Sequence, residues 1–295
     1  MTDSGMRISD LTAWHDGELG GYDRSGSESE EGFHFLHGNG FCARTLEPVA
    51  ALLPNDRRLL FTDAPGHGVS HKPDSIQPDW NAMAATIAES IISRTSGPLV
   101  GVGHSMGGVM TLLMAAAQPN LFTRIILLDP ALFSSEILLT QRLLRKTGFW
   151  QRTKLVKAVQ QRRRRWPSKD ELQSDLGRKS LYRSWHPSAL DAFVEFGTYS
   201  DGAERVLSCD PFWEASIFGS YPYQLWHSVR SVKCPVYILV AEKSYPFINR
   251  AARRAASINR NVAWFEQPGT HCFPMEDPEA TAAFIKRLAI PASGG

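Results

Sequence analysis

The residues best suited to chemistry are a serine, a histidine and a glycine-rich turn, widely separated along the chain. Ser105 lies in Gly103-His104-Ser105-Met106-Gly107, behind the apolar run Pro98 to Val102 and ahead of a stretch rich in Met, Leu and Ala. A strand that turns sharply into a helix forces its middle residue into strained geometry, and glycines two places either side remove side chains that would clash. The hydroxyl then stands clear as a candidate nucleophile. His271, in Gly269-Thr270-His271, comes after the apolar run Val262 to Phe265. A histidine on a loop beyond the last strand can reach back over a sheet, take the serine proton as general base and return it to the leaving group as acid. His37-Gly38-Asn39-Gly40 follows the run Phe33 to Leu36. Small residues there let a backbone N–H point at a reacting carbonyl. We expect Asn39 to supply that N–H, with Gly40 close by, and the Met106 N–H at the helix start to complete an oxyanion hole.

Such groups need a scaffold that brings loops together. Short apolar runs recur at Phe33 to Leu36, Leu59 to Thr62, Leu99 to Val102, Ile125 to Leu128, Val236 to Val240 and Val262 to Phe265. Bounded by Gly, Pro and Asp, they suit strands of a parallel sheet buried on both faces. Asn81 to Ile92, Met106 to Ala117 and Pro278 to Leu288 read as helices between and after them. The alternation predicts an α/β fold. It breaks between about Leu132 and Val232, where no buried strand is evident and helices are expected within Ile137 to Trp166, around Lys169 to Leu181 and at Pro187 to Phe196. We therefore expect a core formed by 1–131 and 233–295 and a helical cap at 132–232. The Ser-, Gly- and Glu-rich segment Gly20 to Gly32 reads as a surface loop.

Composition narrows the classes. Hydrophobic residues at 43% and charged residues at 21% are ordinary for a packed globular chain. Thirty-two basic against thirty acidic residues give a formal charge of +2, so no global field calls for nucleic acid. The polar start, Met1 to Leu11, lacks the apolar core of a signal peptide, and no segment has the roughly 20 apolar residues needed to span a bilayer. A cytoplasmic location is expected. The four cysteines are widely spread without a CxxC pair, which suggests reduced thiols rather than a zinc site or disulfide framework. No metal or organic cofactor is expected.

Asp63-Ala64-Pro65-Gly66-His67-Gly68-Val69-Ser70 follows the run Leu59 to Thr62. With the three motifs above, in this order, the chain resembles the α/β-hydrolase family over roughly residues 30 to 131 and 233 to 290. The resemblance implies a mostly parallel central sheet flanked by helices, with a helical cap insertion and a nucleophile, acid and base on loops at its edge. It makes the Gly66-His67-Gly68 segment a structural turn and His67 a non-catalytic residue. It also exposes a departure. Many relatives resemble Gly-Glu-x-Asp in the loop after the strand assigned to Pro235 to Val240, whereas this chain reads Ala241-Glu242-Lys243-Ser244. A serine cannot carry the charge that orients the imidazole. Some family members resemble a second arrangement, with the acid on the loop after the strand that follows the serine helix. Asp129, in Leu128-Asp129-Pro130, then becomes the expected acid, and Glu242 the alternative.

Lys154, Lys157 and Arg162 to Arg165 concentrate positive charge on the expected cap. Such a run can be a solvated helix face, a lure for an anionic acyl substrate or a contact with an anionic membrane surface. Aromatic residues such as Trp185, Phe193, Trp213 and Trp226 suggest a pocket for an apolar acyl or alcohol group. The expected activity is hydrolysis of a small-molecule carboxylic ester through an acyl-serine intermediate. The alternatives are hydrolysis of a carbon–carbon bond in a diketone-like metabolite and non-catalytic ligand binding on the same fold. Haloalkane dehalogenases and epoxide hydrolases fit less well, because those relatives carry aspartate where this chain has Ser105.

Overall fold

The computed structural model describes residues 6–27, 29–74 and 77–289. The first five residues of the polar start and the last six of the expected core lie outside them. A sheet of eight strands runs in the order β1 (Thr12–Asp16), β2 (Leu19–Arg24), β4 (Leu59–Asp63), β3 (Phe33–Leu36), β5 (Leu99–His104), β6 (Phe122–Leu128), β10 (Val236–Lys243), β11 (Val262–Thr270). Pairing is parallel from β4 through β3 to β11 and antiparallel among β1, β2 and β4. The sheet is therefore mostly parallel, as its apolar runs predict.

Alternate strand residues enter two cores, as the two-residue period of a strand requires. Leu60, Leu99, Ile125, Leu127 and Ile238 pack on one face with Ile87 of α2 (Trp80–Arg94), Val109 and Met110 of α3 (Met106–Ala117), and Ile248 of α10 (Pro246–Ile258). Phe35, Phe61, Val102, Ile126 and Leu239 pack on the other with Val49 of α1 (Glu47–Ala51) and Phe284 of α12 (Pro278–Ala289). Asp79 caps α2 by accepting the Asn81 and Ala82 N–H groups, satisfying two of the donors a helix start leaves open.

The segment Gly20 to Gly32 departs from the surface-loop expectation, because Leu19–Arg24 is strand β2, mostly buried between β1 and β4. A side chain at Gly21 would begin 2.0 Å from the Phe61 carbonyl oxygen and 2.8 Å from the Trp14 ring. Glycine here admits a neighbouring strand and indole rather than marking a turn.

Because β6 and β10 are sheet neighbours, the chain between them is one long excursion from the sheet. It carries α4 (Ser135–Lys146), α5 (Lys154–Gln160), α6 (Lys169–Gly177), α7 (Pro187–Phe196), α8 (Pro211–Phe218) and α9 (Leu225–Ser231). The break expected near Gly148 falls there, at a left-handed φ of 73°. Beside the expected helices the excursion carries a second, small sheet, ordered β7 (Arg165–Trp166), β9 (Glu204–Leu207), β8 (Thr198–Asp201). A Gly202-Ala203 turn closes its hairpin, with Gly202 at φ 61°. The strand β8 is largely exposed, so it offers no apolar run to find.

No described helix is long and apolar enough to cross a membrane. The four cysteines are free.

Candidate active site

The carboxyl ends of β5 and β6 are in register, with His104 opposite Leu128. Ser105 and Asp129 thus leave adjacent strands side by side, where open α/β sheets hold ligands. His271 follows β11, two strands further along the sheet. Ser105 takes φ 54° and ψ −114° between β5 and α3. A side chain at Gly107 would begin 2.2 Å from the Leu36 carbonyl oxygen, so the turn fits against β3 only with glycine there. Asp129 is also held at positive φ, 43°. Its N–H donates to the Leu239 carbonyl at 2.7 Å, which ties the strained residue to β10.

The three side chains form a continuous relay. His271 Nε2 lies 2.9 Å from Ser105 Oγ and Nδ1 lies 2.5 Å from Asp129 Oδ2. An ionised carboxylate only accepts, so Nδ1 carries the proton and Nε2 is left to accept the serine hydroxyl. Asp129 has no exposed side-chain surface, while His271 remains 23% exposed. The buried carboxylate is compensated by hydrogen bonds: the Ala241 N–H donates to Oδ1 at 2.9 Å and the Ser244 hydroxyl donates to Oδ2 at 2.6 Å. Glu242 is exposed and makes no hydrogen bond or ion pair with His271.

Two neighbours escaped the sequence reading. His104 donates its Nε2–H to the His271 carbonyl at 2.8 Å and so fixes the backbone that carries the base. Burial holds His104 neutral, with its pKa pushed down to about 3, and the nearby His271 adds to the effect. The Tyr245 ring stands edge-on to His271 at 5.3 Å and stacks on Phe247, which in turn stacks on Phe133. These rings wall one side of the site with apolar surface.

The glycine turn after β3 separates its two candidate donors. The Gly40 N–H donates to His67 Nε2 at 3.0 Å. The Asn39 and Met106 N–H groups have no protein acceptor among the described residues. His67 is fully buried, and its bond to Gly40 fits the structural role assigned to its turn. Asp63, at the head of that turn, accepts the Ala43 and Val69 N–H groups. The Asn39 side chain donates to the Glu214 carbonyl at 3.0 Å, which anchors α8 of the excursion to this turn.

The arginines of the basic run, Arg162 to Arg165, are spent in pairs. Arg163 meets Glu171, Arg164 meets Asp210, and Arg165 meets both Asp201 and Glu204. Arg162 turns inward, 2.6 Å from Glu214 and 3.1 Å from the Tyr182 hydroxyl, with the Glu214 carboxylate packed against Gly40. Burial pushes the Glu214 pKa up, and Arg162 opposes it. Removing one partner of such a pair strands the other, so Arg162→Ala should cost about 3–5 kcal/mol in urea unfolding. Arg162→Met combined with Glu214→Gln should cost distinctly less. Equal losses would remove the pair as the cause.

A cleft of about 400 Å³ between the β1–β2 turn and α2, lined by Leu19, Pro65, His71, Met83 and Trp213 among others, includes none of the three relay residues. Among the described residues no cluster of His, Cys, Asp or Glu could hold a metal ion.

A mostly parallel sheet with a serine, histidine and aspartate converging at its carboxyl edge defines the class. A family model described as the alpha/beta hydrolase family matches residues 35–284, and the chain belongs to that family. It is similar to an abhydrolase domain-containing protein, AFT2-1, of Alternaria alternata, 23% identical over 228 residues, or 64% of this chain and 81% of that one. Lipase LipV of Mycobacterium tuberculosis is 39% identical over 98 residues, covering 32% of this chain and 36% of the lipase. Among solved structures, E-2-(acetamidomethylene)succinate hydrolase superposes with a TM-score of 0.72 at 22% identity, covering 96% of this chain and all of that one. A Mycobacterium tuberculosis esterase gives 0.72 at 20% identity, covering 94% of this chain and 91% of the esterase.

Proposed function

We propose that this α/β hydrolase is a serine hydrolase that cleaves carboxylic esters with an apolar acyl or alcohol group. The observation that carries the reading is the unbroken relay from Ser105 Oγ through His271 to Asp129. In this reading His271 removes the hydroxyl proton as Ser105 attacks the carbonyl, and Asp129 stabilises the imidazolium that forms. The open N–H groups of Asn39 and Met106 receive the charge that develops on the carbonyl oxygen. His271 then passes its proton to the departing alcohol, leaving an acyl-serine. A water molecule deprotonated by His271 attacks the acyl carbon, and the proton returns to Ser105 as the acid leaves. The excursion at 132–232 serves as a cap, and Phe133, Tyr245 and Phe247 supply an apolar wall for the substrate. The names of two relatives, a lipase and an esterase, agree with this class.

A fluorophosphonate probe should label the wild-type protein and leave Ser105→Ala unlabelled. Short p-nitrophenyl esters should be turned over by the wild type alone. A wild-type protein that resists the probe under conditions that label a known esterase would sink the proposal.

A further inference from the structure

The first helical pair of the excursion carries a surface that no other described residue covers. No residue of α4 is fully buried. Leu138 and Leu144 turn toward the body, whereas Leu139 and Leu143 point out at 59% and 56% exposure. Beyond Gly148, Phe149 at 51% and Leu155 at 54% are exposed as well. Isolated exposed leucines are ordinary, but four large apolar side chains on one helical pair mark a contact surface.

Charge identifies the partner. Residues 135–160 hold six cations and one acid, Glu136. Arg142, Lys146, Arg152, Lys154 and Lys157 are exposed, and none has an ion pair among the described residues. Arg163 to Arg165 differ, because each already faces a carboxylate. The unneutralised charge therefore sits on the same helical pair as the exposed apolar groups. A second copy of this face would bring like charge against like charge, which disfavours self-association. An anionic lipid surface satisfies both features: apolar tips enter the headgroup layer, while Lys and Arg extend along it to the phosphates.

We propose that the α4–α5 face docks this protein on anionic bilayers, through Leu139, Leu143, Phe149 and Leu155 with the surrounding cations. The docking is independent of any reaction at Ser105. The test is co-sedimentation of the full chain with vesicles of phosphatidylcholine alone or with about one third phosphatidylglycerol. Binding is expected only to the anionic vesicles and should weaken as salt rises. Lys154→Glu with Lys157→Glu, and separately Leu139→Glu with Leu143→Glu, should each lower partitioning by about tenfold or more. Unchanged thermal unfolding of both variants shows that the fold is intact. Equal binding to neutral vesicles, no binding to either kind, or variants that bind like the wild type would each overturn the proposal. So would concentration-dependent dimerisation that the leucine variant abolishes, since the face would then belong to a second copy.

Discussion

Replacing Asp129 by asparagine is expected to lower kcat on an ester substrate by about 10⁴-fold, while Glu242→Gln leaves it unchanged. Asparagine has nearly the same shape and can still accept from the Ala241 N–H. It differs at the atom that matters, because an amide NH₂ turned toward His271 Nδ1 is a donor where the carboxylate was an acceptor. The imidazole then holds its proton on Nε2, the nitrogen 2.9 Å from Ser105 Oγ. It can no longer take the hydroxyl proton, and no negative charge remains to stabilise the imidazolium. Glu242 points into solvent, and an exposed carboxylate with no fixed contact has nothing to transmit. Steady-state kinetics of the two variants on one p-nitrophenyl ester decide the matter. Loss confined to Glu242→Gln would put the acid on β10.

Ser244 shows how far the site could be read in advance. Its sequence position suggests a lost acid, and a serine there moves attention to Asp129. What the sequence does not convey is that Ser244 remains in the network, donating its hydroxyl to Asp129 Oδ2. An aspartate at 244 would set a second carboxylate against a buried one, at a cost that like charges in a dry site make large. Ser244 and the aspartate that follows β6 are thus two halves of one arrangement. That coupling joins residues 115 positions apart, and no local pattern reports it. His104 is hidden for a similar reason: its partner is a backbone carbonyl on another loop.

The fold was legible where burial on both faces leaves an uninterrupted apolar run, as in β3 to β6 and β10. It was illegible where pairing depends on the absence of a side chain, as at Gly21, or where a strand is half exposed, as in β8. The basic run failed differently. Charge composition cannot distinguish Arg162, folded inward onto Glu214, from Arg163 on the surface beside it. The carboxylates that pair with Arg162, Arg164 and Arg165 lie more than thirty residues downstream.

The chain should lose stability steeply below about pH 6.5, the ordinary histidine pKa, at about 4 kcal/mol per pH unit near pH 5. Four histidines, His34, His37, His67 and His104, have no exposed surface or almost none. Burial pushes His34 and His104 down to about 3 and His67 to about 4, and lowers His37 strongly with help from His67. Each therefore stays neutral in the folded chain at pH 5 but takes up a proton on unfolding. Asp63 works in the opposite sense. Burial raises it to about 7 against the pull of the Ala43 and Val69 N–H groups, so it holds a proton when folded at pH 5 and releases it on unfolding. Four protons gained against one lost leave about three, and stability drops as the pH is lowered wherever the unfolded chain binds more protons. A domain stable by about 5–15 kcal/mol cannot absorb that slope for long. Above pH 7 these histidines are neutral in both states and their contribution is flat. Asp63 makes its full charging cost felt only there, so stability should level off above neutrality rather than keep rising. Urea unfolding at pH 7.5, 6 and 5 should show a midpoint that falls sharply between the last two, with about three protons taken up per molecule unfolded at pH 5. A midpoint unchanged down to pH 5 would mean that the buried imidazoles ionise within the fold, which their lack of solvent makes costly.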